Sequence, residues 1–157
     1  MVWFGSLLLA TTSVAAQTSA DSAYEPAFAD YGAGNYATAI PALEAAAAQE
    51  HPDAQALLAQ LLWRGDHISK DQPRALGLAI MALQNTTPEH RPWIADIHQG
   101  IFCAASPATR QAANHIVAEW QVTHARSAGP VNHGEDDGNA VRRVCATGEV
   151  VGSFGRE

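Results

Sequence analysis

Seven histidines, two cysteines and sixteen acidic side chains are the groups of this 157-residue chain that could do chemistry. Histidine would bring metal ligation or proton transfer, and thiolate would bring metal ligation or nucleophilic attack. Their spacing supports neither. His51, His67, His90, His98, His115, His124 and His133 contain no His-x-x-x-His pair, and no two cysteines sit close together, so the ligand spacing of a zinc site is missing. The expectation is histidines on the surface and at helix ends. Glu135-Asp136-Asp137 lies between Gly134 and Gly138 but lacks the alternating carboxylates and closing glutamate of a calcium loop, so it reads as a solvated linker. There is no Gly-x-Ser-x-Gly, phosphate loop or dinucleotide fingerprint. The residues predict no catalytic site, no cofactor and no metal.

Cys103 and Cys145 acquire meaning from the first sixteen residues. Val2 to Leu9 is a short apolar run, followed by polar Thr11, Thr12 and Ser13 and by small Val14-Ala15-Ala16 before Gln17. That order is the order of a secretory signal peptide, with cleavage expected after Ala16, although no Lys or Arg precedes the apolar run. The run is too short to span a bilayer, which takes about 20 apolar residues. Export to a periplasmic or extracellular compartment would favour a Cys103–Cys145 disulfide, closing a loop of 43 residues and pinning the C-terminal tail to the body. Two unpaired thiols, one buried and one in a loose tail, remain the alternative.

These groups need a scaffold, and the composition indicates its class. The chain is 47% hydrophobic and rich in alanine, which favours helices and lets them approach closely. With a formal charge of −7 and only nine Lys and Arg spread along it, the chain has no basic face for nucleic acid.

Helical spacing then divides residues 22–123 into about three antiparallel pairs. Tyr24, Ala27, Phe28 and Tyr31 share one face, and Gly32 and Gly34 end that helix. Asn35 is placed to cap a second helix running to about Gln49, with Ala39, Ile40, Leu43 and Ala47 inward and with Pro41 demanding a kink or a late start. Asp53 is expected to cap a third through Leu62, and Asp71 a fourth with Pro73 in its first turn and Ala75, Leu76, Ala79, Ile80 and Leu83 buried. A fifth is expected over about 89–102. The sixth starts at Ser106-Pro107 with Ala112, Ala113, Ile116, Val117 and Trp120 inward. Residues 17–22 read as a flexible lead-in, and 127–157 as a Gly-rich linker and tail with a possible short hairpin near Val141 to Phe154. Two of the segments repeat. Asn35 to Ile40 lies over Asp71 to Leu76, and Leu57, Leu58, Ala59 and Leu61 lie over Trp93, Ile94, Ala95 and Ile97, each 36 positions on. A period of this size predicts an all-α stack of helical hairpins that bury one another's faces.

Asp53 to Ala75 resembles a Sel-one-like repeat, a relative of the tetratricopeptide repeat. Ala54, Leu58, Ala59, Gly65, Ile68, Asp71 and Ala75 stand at the positions of its motif, with Ala59 and His67 where the family has glycine. The resemblance covers Ala27 to Ala82, with weaker flanking copies. It implies a short α-solenoid that binds another protein or a peptide along the first helices of its pairs, as an adaptor, scaffold or inhibitory partner. In this chain the corresponding candidates are Gln60, Trp63 and Arg64, although Trp63 equally suits packing against Ile68. Some cysteine-rich secreted members interact with penicillins, which gives the alternative of a cell-wall hydrolase or β-lactam-interacting protein. Those members carry a disulfide in each helix pair, whereas this chain has two cysteines in all.

Overall fold

The computed structural model describes residues 14–124 and 145, and among these it is all-helical. Six helices follow one another: α1 (Val14–Gly32), α2 (Tyr36–Ala48), α3 (Pro52–Arg64), α4 (Gln72–Asn85), α5 (Arg91–Ala104) and α6 (Pro107–Thr123). α1 packs on α2, α2 on α3 and α3 on α4, in the manner of a short solenoid. α5 rests on α3 and α4, and α6 on α4, so the third pair makes its main contacts with the second.

The breaks follow local chemistry. Gly65 closes α3 in the left-handed region at φ 80°, and its N–H and that of Asp66 both reach the Leu61 carbonyl, at 2.8 and 3.1 Å. Asp71 caps α4 by accepting the Arg74 N–H at 3.1 Å, and Ser106 caps α6 by accepting that of Thr109 at 3.1 Å. In both helices proline stands in the first turn, where its missing N–H costs nothing.

Five local expectations are corrected. Residues 17–22 are helical, because α1 begins at Val14 and runs on through them; the expected cleavage point after Ala16 therefore falls within a helix, while residues 1–13 lie outside the described part. Asn35 precedes α2 without a side-chain cap bond, and its side-chain amide donates back to Asp30 Oδ1 in α1 at 3.2 Å. Pro41 lies inside an α2 that starts at Tyr36 and not later; its ring is on the exposed side, and the residue one turn earlier is the small Ala37. Asp53 is not the cap of α3. His51 is, accepting the Ala54 N–H through Nδ1 at 3.3 Å, because the helix begins at Pro52, two residues earlier than a cap at Asp53 would place it. Ala112 of α6, expected inward, is exposed, whereas Ala113 and Val117 are buried. The expected hairpin and linker of 127–157 lie outside the described residues, apart from Cys145.

α3 is the centre of the molecule. Every residue from Asp53 to Ala59 is buried, together with Leu61 and Leu62, and Leu58 and Leu62 are each only 1% exposed. A leucine side chain so enclosed contributes about 2 kcal/mol. The long alanine share explains why three helices fit around it: Ala54, Ala56 and Ala59 are fully buried and take little space. α4 and α6 meet just as closely at Gly77, where a Cβ would lie 3.3 Å from Ile116 Cγ2. Cys103 at the end of α5 is bonded to Cys145, with the sulfurs 2.05 Å apart. No helix among the described residues is long and apolar enough to cross a membrane.

Gly77→Leu is expected to push α6 off α4 and to destabilise by about 1–3 kcal/mol, the usual cost of overpacking. Urea unfolding followed by circular dichroism measures it. The Cys103→Ser, Cys145→Ser double variant should lose up to about 4 kcal/mol by the chain-entropy relation for a loop of this length. A wild-type midpoint unchanged by a thiol reductant would refute that expectation.

Candidate peptide-binding furrow

Polar side chains gather at three places on this scaffold. The first is where the N-terminal parts of α1, α3 and α5 meet. His51 is 7% exposed, and because its Nδ1 accepts the α3 cap bond, its ring proton belongs on Nε2, which faces Asp21 Oδ1 at 3.1 Å. The ring also stacks on Tyr24, with centroids 4.3 Å apart. Two residues on, buried Asp53 accepts from His90 Nδ1 at 2.7 Å. Each contact joins an aspartate on one odd-numbered helix to the histidine preceding the next, so this cluster holds successive hairpins in register. Burial, and then the nearby carboxylates of Asp53 and Glu25, push the Tyr24 phenol up to about 12.

The second place is the edge formed by the α1–α2 and α3–α4 turns. His67 has φ 58°, a costly region for a side chain with a Cβ, and its ring lies 3.6 Å from that of Tyr36 in a parallel stack. Tyr31 meets Tyr36 edge-on at 5.5 Å. Burial raises the Tyr31 phenol, helped by Tyr36 and Asp66 and opposed by Arg64. The three candidates from the sequence fall beside this edge. Gln60 and Trp63 are half-buried, with Trp63 packed on the core as Ile68 is, and Arg64 lies 3.8 Å from Asp66.

The third place was invisible in the sequence. A furrow runs along α4 between α2 and α6. Its wide end is a cavity of about 590 Å³ lined by Glu44, Leu62 and the segment Ile68 to Arg74. Its narrow end is about 120 Å³, lined by Ala47 and Ala48 of α2, Leu58, Leu78, Met81 and Trp120 among others. The two ends adjoin at the Glu44–Arg74 ion pair, 3.1 Å long, which belongs to both linings. The spacing Arg74, Leu78, Met81 places one row of α4 along the floor. Gln55, fully buried at the narrow end, gives its amide N–H to the Ala47 carbonyl at 3.1 Å and accepts from Asn85 at 3.4 Å, so α2, α3 and α4 are tied together beneath the furrow. None of Gln60, Trp63 and Arg64 lines it.

The motif residues shape the wide end. Gly65 allows the chain to turn back so far that a Cβ there would stand 3.2 Å from the Lys70 Cβ, and Asp71 fixes where α4 begins. Ala54, Leu58, Ala59 and Ala75 are core. Compared with protein-family models, curated proteins and solved structures, the chain matches none. Among the described residues no group of three His, Cys, Asp or Glu is arranged to hold a metal ion.

One titration checks the first cluster. Tyr24 should ionise near pH 12, above the ordinary tyrosine value of about 10, in an ultraviolet titration of wild type against Tyr24→Phe. Because the folded state holds that proton more tightly, its stabilising contribution is complete below pH ~10 and is lost as pH rises towards ~12. A wild-type unfolding curve with the same alkaline dependence as Tyr24→Phe would contradict this.

Proposed function

We propose that this chain is an exported helical-repeat module that binds a segment of another protein in the furrow along α4. The furrow carries this reading. It is concave, apolar at its narrow end and mixed polar and apolar at its wide end, the Glu44–Arg74 ion pair between the two is already satisfied, and its lining includes Trp120, Met81 and Arg74, residue types that anchor protein interfaces. Its narrow end has room for one aliphatic side chain and its wide end for several, which fits a peptide better than a compact small molecule. The resemblance of Asp53 to Ala75 to a Sel-one-like repeat supports a binding role, and the Cys103–Cys145 pair supports an oxidising compartment such as the periplasm.

The proposed binding face differs from the one the repeat resemblance implies. α3 is enclosed along almost its whole length and offers only its last turn to a partner. α2, α4 and α6 keep an open gap between them. The edge with Trp63 and Arg64 is thus the competing surface, and the two are separable by mutation.

Ala48 is exposed at the rim of the narrow end, so Ala48→Trp is expected to plug the furrow while leaving the core intact. Crosslinking pull-down from the periplasmic fraction should recover a dominant partner with wild type and with Trp63→Ala, Arg64→Ala, and at least ten-fold less with Ala48→Trp. Loss in the Trp63, Arg64 variant alone would move the site to the turn edge. A partner retained equally by all three proteins would refute both surfaces.

A further inference from the structure

Lys70 is the only lysine of the chain, and it stands exposed on the lining of the furrow's wide end. The other charges there are committed. Arg74 and Glu44 neutralise one another at 3.1 Å, and the Asp71 carboxylate is held by the Arg74 N–H as the cap of α4. Lys70 makes no ion pair with any described residue. In a chain with sixteen acidic groups and a net charge of −7, an exposed cation that no described residue pairs, on the lining of a furrow that turns apolar at its other end, is a conspicuous choice. Gly65 also keeps it there, since the turn folds the Lys70 backbone against a position with no Cβ.

Resting on the furrow as the binding site, we infer that its occupant is an extended acidic segment, with a carboxylate side chain seated against Lys70 and an aliphatic side chain filling the narrow end beside Trp120. The spacing follows from the floor. Asp71 to Met81 covers about 15 Å of helix at ~1.5 Å per residue, which an extended chain crosses in about four or five residues at ~3.3 Å each. The occupant therefore reads as one apolar and one acidic residue separated by about four positions. The Glu44–Arg74 pair between them asks for small polar residues in the middle. The narrow end, about 120 Å³, takes one aliphatic side chain of that occupant.

The probes are acetylated, C-terminally amidated dodecapeptides of glycine and serine that carry one leucine and, four positions on, one glutamate, made in both orders. Control peptides have glutamine or lysine in place of the glutamate. Binding to the full chain is read from amide shifts around Lys70 and from the Trp120 indole signal. The glutamate peptide in one order should bind about five-fold more tightly than its glutamine control, the range of a rim ion pair, and Lys70→Gln should erase the difference. Carbodiimide coupling, which joins a carboxylate to an amine in contact with it, should place the glutamate peptide on Lys70 in the mass spectrum. Equal affinities for the glutamate and glutamine peptides, with furrow signals shifting, would overturn the acidic occupant and leave the furrow standing. Coupling elsewhere than Lys70 would overturn it too. If no peptide moves a furrow signal and partner recovery is also insensitive to Ala48→Trp, the furrow itself is not the site.

Discussion

Everything in this fold depends on α3 being enclosed on all sides. An enclosed helix cannot carry unpaired polar groups, and α3 has three polar side chains in or just before it that are buried: His51, Asp53 and Gln55. Each is satisfied by a different neighbour. His51 turns to α1, Asp53 to α5, and Gln55 to α2 and α4. A buried polar group left without its partner costs about 1–3 kcal/mol, so each of these contacts selects one arrangement of the surrounding helices over its near neighbours. The alanines set how near the helices come, and these three side chains set which residues meet.

That arrangement also determines where the surface is concave. With α3 surrounded, the odd-numbered helices meet in a polar cluster and leave no long open face. The even-numbered ones are set apart by the width of α4, and the gap between α2 and α6 becomes the furrow. The Glu44–Arg74 bridge is partly exposed and contributes little to stability. Its importance is geometric, since it links α2 to α4 at the point where the furrow narrows, beside a Lys70 that pairs with no described residue.

Much of the fold was legible along the chain because its punctuation is local. Gly65, Asp71 with Pro73, and Ser106 with Pro107 act within one turn of their own positions, and the helices begin and end there. The apolar rows of α3 and α4 were equally plain. His51 was missed as a cap because histidine is a weak capping type, chosen here for a second bond to α1 that no local pattern announces. Asp53 was misassigned for the mirror reason: a helix-capping residue type at a helix start was committed to a histidine 37 positions away. The furrow was hidden altogether. Its lining comes from four helices and a loop between Glu44 and Trp120, and although Leu58, Ile68 and Asp71 stand at repeat-motif positions, no local pattern ties them to Glu44, Met81 or Trp120. Trp63 and Arg64 stood out by type, yet the chain uses Trp63 to cover its core.

The Cys103–Cys145 bond turns residues 103–145 into a covalent ring that includes the whole of α6. α6 therefore has no free end in the topological sense: it is fixed to α5 by the main chain at one side and by sulfur at the other. A single protease cut within that ring leaves the protein one molecule of nearly unchanged mass, and the two halves separate only once the sulfur bridge is broken. In a compartment exposed to proteolysis, α6, one wall of the furrow, stays attached after its polypeptide connection has been severed.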